Sequence, residues 1–348
     1  MQRLDGNRKK EFIQMMEKLS VDDLPISDYN KIYLKKHLKS LTYSVNLAFQ
    51  ILESGIKKST RPLEEITMAE IGGGTGIISL LAKWYGINKV IYSDTYKQSC
   101  IDFDVISTAL GLKPDDIILG SIEELAKKYS HQVHMIVSRD VIEHIYDPQQ
   151  FFKQSIENFN EVILVHNTSA NIYNIFKKNY FKKIHKMDET TGNPDQFKPG
   201  DSVESHYSLR YKFIHSNFSK LPEKFIEQLA RLTRGKNYHD IYSDVKTFIE
   251  SGKMPQPLPH PTNTCDPATG NWTEHLLTFE QYESFIKKYS YKTEWHFALY
   301  DEWRNTDIKK IVLKILNGFI KNLGGLARFV SPAVIMVSAP ERKLTINH

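Results

Sequence analysis

Three stretches of this 348-residue chain carry residue types at spacings that could do chemistry. The first is Glu70-Ile71-Gly72-Gly73-Gly74-Thr75-Gly76, where an apolar run enters a glycine cluster and an apolar helical pattern leaves it. Glycines let the backbone turn sharply and approach a ligand without a Cβ in the way, and a helix start offers unpaired N–H groups. The dinucleotide fingerprint, G-x-G-x-x-G/A, needs its third glycine where Ile77 stands, and here the glycine comes one place early, at Gly76. Glu70 at the strand end suits a ligand with a cationic amino group better than a pyrophosphate. The second is Asp94, 18 residues past Gly76 and at the end of an apolar run, where an acid can accept both hydroxyls of a ribose. The third is Ser138-Arg139-Asp140-Val141-Ile142-Glu143-His144-Ile145-Tyr146-Asp147-Pro148. There His144 could take a proton from a substrate hydroxyl, since imidazole is poised near neutral pH. Asp140, Glu143 and His144 could instead share a divalent metal, or Glu143 and His144 could hold the loop and orient substrate, and no metal ligand is assigned.

The elements that must position these groups follow from periodicity. Residues 1–65 read as helical, with Phe12, Met15, Met16 and Leu19 at helical spacing. Asp28 could cap a second long helix running through Ile32, Leu34, Leu38, Leu41, Val45, Phe49 and Leu52. Strand and helix patterns alternate from 66 to 166, with strands at 66–71, 89–93, 117–119, 133–138 and 161–165. Alternation of this kind implies a parallel sheet with helices on both faces. Residues 170–290 break it with basic, aromatic and helical sequence and a proline-rich stretch at 254–261. It resumes with strands at 291–299 and 333–337 around an amphipathic helix at 308–323. The expected fold is α/β: a Rossmann-like, seven-stranded, mostly parallel sheet with an N-terminal helical segment (1–65), a core (66–169 and 291–340) and a largely helical insertion (170–290). An insertion after strand 5 would lie over the carboxyl ends of the strands, where open α/β sheets bind ligands, as a lid or recognition module. A scaffold for oligomerisation is the alternative.

The acid before the glycines, the early third glycine, Asp94 and the D-V-x-E-H-x-x-D-P segment together resemble the class I S-adenosylmethionine-dependent methyltransferases. Over 66–166 the motifs are similar to those of the broad small-molecule group, ubiquinone-biosynthesis O-methyltransferases included. The resemblance implies S-adenosylmethionine as cofactor. It implies that Glu70 holds the methionine amino group, that Gly72, Gly74 and Gly76 let the backbone close on the cofactor, and that Asp94 takes the ribose. Ser121 and Ile122, after Gly120, would hold adenine, although the family commonly has an acid where Ser121 stands. Arg139 joins this binding set, and Asp140 and His144 would face the transferred methyl.

Other clusters are less specific. His166-Asn167, after strand 5, could contact substrate or be a satisfied loop pair. In the insertion, His206-Tyr207-Ser208-Leu209-Arg210-Tyr211 and Asn271-Trp272-Thr273-Glu274-His275 suit a polar, hydroxylated small-molecule acceptor, a sugar first and a quinone-like or secondary metabolite second. Lys177, Lys178, Lys182, Lys183 and Lys186, interleaved with Tyr180 and Phe181, could pair with phosphates and stack on bases. The same run is also a solvated helix face over buried Ile175, Phe176 and Phe181, and a formal charge of +5 is too small to argue for nucleic acid. Cys100 and Cys265 form no metal or redox motif, as expected of thiols in a reducing compartment. With 41% hydrophobic residues but no apolar run of membrane-spanning length, and no apolar leader in MQRLDGNRKKEF, the expectation is a globular cytoplasmic enzyme.

Overall fold

Strand β1 (Thr67–Ile71) is buried along its whole length, as a strand covered on both faces must be. Parallel strands β2 (Lys89–Asp94) and β4 (Met135–Arg139) flank it, and β3 (Asp116–Leu119) and β5 (Ile163–Thr168) extend the sheet in parallel on either side. Beyond them β7 (Val334–Pro340) runs antiparallel between β5 and β6 (Tyr291–Phe297). The order is β3-β2-β1-β4-β5-β7-β6, so the expected seven-stranded, mostly parallel sheet is what forms. It reverses direction between β1 and β4, and the carboxyl ends of these two strands therefore border a crevice. The computed structural model describes residues 4–192, 203–258, 262–302 and 307–341; the last part of the proline-rich stretch, 259–261, lies outside them.

Three helices precede the sheet: α1 (Gly6–Glu17), α2 (Asp28–Lys39) and α3 (Leu41–Lys58). Their apolar faces join one core with β1, β2 and β4, through Phe12, Leu34, Val45 and Ile51 among others. The single helix expected from Asp28 to Leu52 is broken at Ser40, whose φ of −126° and ψ of 37° are not helical. Its cap is Ser27, whose side chain accepts from the Asn30 N–H, and Asp28 is the first helical residue. Helices α4 (Ile77–Tyr85), α5 (Lys97–Ala109), α6 (Ile122–Tyr129) and α7 (Pro148–Glu157) follow successive strands. β5 begins and ends later than its apolar pattern indicates, which places His166 and Asn167 inside the strand.

The chain forms two compact units. One contains the sheet and spans 1–142, 148–169 and 279–348; the other spans 143–147 and 170–278. The second ends short of the expected boundary at 290 because α12 (Phe279–Ile286) packs on α7 in the first. The last helix of the first unit is α13 (Asp307–Asn322).

Helices α8 (Ile175–Thr190), α9 (His206–Asn217), α10 (Glu223–Leu232) and α11 (Tyr238–Ser251) build the second unit. Its apolar core is small, centred on Ile214, Ile226, Leu229, Ile241 and Val245. A buried ion pair supplements it. Arg210, 0% exposed, meets both carboxylate oxygens of Glu189 at 2.6 and 3.2 Å and donates from Nε to the Ala230 carbonyl at 2.9 Å. Thr264 Oγ1 adds a bond to Glu189 at 2.8 Å. Glu189→Ala strands the guanidinium and is expected to cost about 3–5 kcal/mol in urea-induced unfolding followed by tryptophan fluorescence. A loss under about 1 kcal/mol would show that Arg210 finds another partner or is hydrated.

Candidate active site

Gly72, Gly74 and Gly76, in the turn from β1 to α4, all have left-handed φ, at +63°, +54° and +69°. Side chains are excluded at two of them by close neighbours as well. A Cβ on Gly76 would lie 2.0 Å from the Phe103 ring, and one on Gly72 2.7 Å from Val141. A Cβ on Gly74 would meet nothing within 4 Å, so this glycine borders open space that a side chain would fill. The turn is tied to the end of β2: Gly73 N donates to the Ser93 carbonyl at 3.1 Å and Gly74 N to Asp94 Oδ2 at 2.9 Å. The other oxygen of Asp94 accepts from Tyr96 N at 2.8 Å, and the Tyr92 hydroxyl donates to the Gly74 carbonyl at 2.7 Å. Burial pushes the Asp94 carboxyl up from the usual carboxylate range, against the pull of the Tyr96 and Gly74 N–H groups.

Glu70 lies under this turn. Its Oε2 accepts from both Ser79 N, at 2.8 Å, and Ser79 Oγ, at 2.5 Å. Ser79 is in the first turn of α4, so the carboxylate satisfies an otherwise unpaired helix N–H and sits at the positive end of the helix dipole. Burial nevertheless pushes Glu70 up to about 7, with the Ser79 bonds opposing and the nearby Asp94 charge adding.

At the adjacent end of β4, Arg139 Nε lies 3.7 Å from Asp140 Oδ2, while Nη1 is buried with no hydrogen-bond partner among the described residues. A buried guanidinium N–H without an acceptor is costly and fits an anionic ligand group. Asp140 itself has φ +53°; its N–H reaches the Asn167 carbonyl at 2.9 Å and its Oδ1 accepts from Ser169 N at 3.0 Å.

Helices α2 and α3 supply residues that the motif search passed over. His37 Nδ1 is 2.9 Å from Thr75 Oγ1 in the glycine turn. Burial, then the Arg139 and Lys36 charges, push His37 down to about 3, so the ring is neutral at neutral pH. Tyr29 packs on Tyr33 at 4.9 Å and edge-on to Tyr96 at 6.1 Å, and burial raises its hydroxyl above the usual tyrosine range, with Tyr33 and Asp94 adding. Tyr43, also raised by burial, feels Arg139 and Asp140. The signal for this wall was the four-residue spacing of Tyr29, Tyr33 and His37, a polar-aromatic stripe on one helix face.

The second unit gathers the rest of the third motif. Residues 143–144 pair with the segment around Trp272: His275 N donates to the Glu143 carbonyl at 2.8 Å and Trp272 N to the His144 carbonyl at 3.2 Å. His144 Nδ1 bonds the Trp272 carbonyl at 2.7 Å. A carbonyl only accepts, so Nδ1 carries the proton in this bond. Glu143, fully buried, His144 and Glu274 each place one ligand atom within 4.8 Å of the others. Glu274 replaces Asp140 in this group, and has a left-handed φ of +50°. Trp272 stacks on His275 at 3.9 Å and donates from Nε1 to the Tyr146 carbonyl at 3.0 Å.

Ser121 forms a capping box with Glu124 at the start of α6, and Ile122 is 1% exposed on the apolar face of that helix. His166 and Asn167 are both buried in β5. His166 lies between the edges of Phe151 and Phe152 and bonds Ser138 Oγ through Nδ1 at 2.8 Å. His206 and Arg210 belong to the buried Thr264–Glu189 network. On α8, Ile175 and Phe176 are exposed and only Phe181 is buried.

No family model and no curated protein matches the chain. Among solved structures, the plantazolicin methyltransferase BpumL in complex with SAH is 11% identical over 97% of this chain and 98% of its own, with a TM-score of 0.42. A SAM-dependent methyltransferase from Archaeoglobus fulgidus is 12% identical over 88% and 99%, with a TM-score of 0.38. The YcgJ protein of Bacillus subtilis is 11% identical over 84% and 98%, with a TM-score of 0.40. Likeness at this level adds nothing to what the strand order and the turn already establish.

Burial alone pushes His166 down to about 3. The unfolded chain therefore binds a proton that the folded chain refuses once the pH falls below about 6.5, and folding stability declines from there toward pH 3. The expected slope from this residue is at most about 1.4 kcal/mol per pH unit. Urea titrations at pH 7, 6 and 5 on the wild type and His166→Phe check it: equal slopes in the two proteins would remove His166 as the source.

Proposed function

We propose that this chain is a class I S-adenosylmethionine-dependent methyltransferase acting on a hydroxyl of a polar small molecule, with a sugar or polysaccharide precursor as the first acceptor class. One observation carries the reading. At the strand-order reversal, a left-handed glycine turn closed by Asp94 adjoins a buried Arg139 Nη1 that lacks an acceptor among the described residues. A ligand with a carboxylate, an ammonium and a ribose matches that donor set. Arg139 would hold the carboxylate, Glu70 would balance the ammonium from beneath the turn, and Asp94 would take the ribose. The open space beside Gly74 leaves room for the ligand backbone. His37 and Tyr29, from α2, would close the cofactor side.

When bound, S-adenosylmethionine supplies an electrophilic methyl on a sulfonium. The chain's part is to position and desolvate the acceptor for in-line displacement, in which the O–C bond forms as the C–S bond breaks and its electron pair stays on sulfur. His144 Nε2 would take the acceptor proton, its tautomer set by the Trp272 carbonyl. The Glu143–His144–Glu274 group favours one second reading, a divalent cation held there to lower the acceptor's pKa. Chelation separates the two. A base predicts activity that survives chelation and fails in His144→Ala, whereas a cation predicts loss on chelation and recovery with added metal. If activity survives both treatments, neither role stands. The acceptor class is tested with labelled S-adenosylmethionine and fractionated extract, followed by mass spectrometry of the methylated product. An RNA acceptor predicts steep salt dependence and loss on neutralising Lys177, Lys178, Lys182 and Lys183. A binding module without catalysis would take up the cofactor and label nothing.

Arg139→Met is expected to weaken S-adenosylmethionine binding roughly 10- to 100-fold by calorimetry, as loss of a charge-assisted bond does. In the free protein Glu70 titrates near 7, and an ammonium beside it favours the carboxylate and lowers that value. Below about 7 the carboxyl must first lose its proton, so affinity should fall with pH by at most about tenfold per unit, and Glu70→Gln should flatten the profile. An affinity indifferent to pH between 5 and 8 would remove Glu70 from the cofactor site.

A further inference from the structure

Helix α13 buries one side and exposes the other, and the exposed side carries a row of apolar residues. Asn317 and Ile320 face inward, with Asn317 bonding the Tyr300 backbone N–H and carbonyl at 2.7 and 3.0 Å. On the outward side Ile308, Ile311, Val312, Ile315 and Phe319 recur at helical spacing, and Leu326 lies just beyond the helix end; each is more than half exposed. A continuous exposed apolar stripe of this length marks an interaction surface.

The charge along the stripe is mainly positive. Residues 307–329 contain Lys309, Lys310, Lys314, Lys321 and Arg328 against one acid, Asp307. At 100° per residue Lys314 and Lys321 follow one side of the stripe, while Lys309 and Lys310 lie further round toward the inward residues. Beside the helix end a cavity of about 720 Å³ is lined by Phe279, Trp295 and Ile320, by Lys321 and Arg328, and by Lys57, which pairs with Glu53 at 2.8 Å. We propose that this face of α13 docks the protein on an anionic lipid bilayer, with the aliphatic row in the acyl boundary and the lysines reaching the headgroups. Lysines at the margin can lay their stems on the apolar row and leave the ammonium at the phosphate level. A second copy would instead set these five cations against an identical set, with Asp307 the one acid of the helix to pair them. Nucleic acid would leave the aliphatic row unused. No described helix is long and apolar enough to cross a membrane, so the attachment is peripheral.

The test is flotation of the full chain with vesicles of phosphatidylcholine alone and of phosphatidylcholine mixed with phosphatidylglycerol. Binding to the mixed vesicles at low salt, and not to the neutral ones, is expected. Ile315→Glu with Phe319→Glu should reduce it at least about tenfold. Charge reversal of Lys309, Lys310 and Lys314 should reduce it about a hundredfold. Both variants change exposed side chains, and an unchanged thermal midpoint confirms the fold. Absence of flotation with the mixed vesicles overturns the proposal, as does flotation that the Glu variants leave intact. A dimer in light scattering that the Glu variants dissociate also overturns it, in favour of self-association. None of these outcomes depends on methyl transfer.

Discussion

The carboxylate–amide contact from Gly74 N–H to Asp94, with the Gly73–Ser93 and Tyr92–Gly74 bonds beside it, joins the end of β2 to the turn leaving β1. The turn can exist only because three of its residues tolerate left-handed φ and two of them have no room for a Cβ. Glu70 then anchors the first turn of α4 from below through Ser79. The two acids thus have a structural duty before any ligand arrives: one closes the loop, and the other starts the helix. Burial raises both carboxyls from the usual carboxylate range, Glu70 to about 7.

The second dependency is topological. The segment 143–147 leaves the sheet unit and becomes part of the insertion unit, through backbone pairing with residues 272–275. The chemistry of His144 is therefore set by a carbonyl 128 residues away, and the acid beside it is Glu274 rather than Asp140. Asp140 stays with the sheet unit, tied to Ser169 and Arg139. Five consecutive motif letters thus divide between two bodies with separate duties.

Local signals and tertiary context parted at identifiable places. Ser27 and Asp28 are both acceptable caps, and the extended backbone at Ser27, with its bond to Asn30 N, decided between them. The apolar spacing from Ile32 to Leu52 continues across Ser40 although Ile32 itself is exposed, so periodicity carried no mark of the break. β5 runs on through His166 and Asn167 because the antiparallel pairing with β7, from far along the chain, covers polar residues that read as a loop. The exposed Ile175 and Phe176 show the converse: two apolar residues at the start of a helix say nothing of which side will be covered.

From its own letters the chain determined the sheet class, the seven strands, the glycine turn and the acids bracketing it. These rest on short-range rules: strand and helix periods, and backbone angles that only glycine adopts readily. Tertiary structure decided what each acid touches, that α2 delivers His37 and Tyr29 to the turn, that His166 is a core residue, and that Glu274 joins Glu143 and His144. Those outcomes depend on contacts between residues far apart in the chain, where burial and hydrogen-bond partners are set by packing, and no spacing along one strand or helix encodes them.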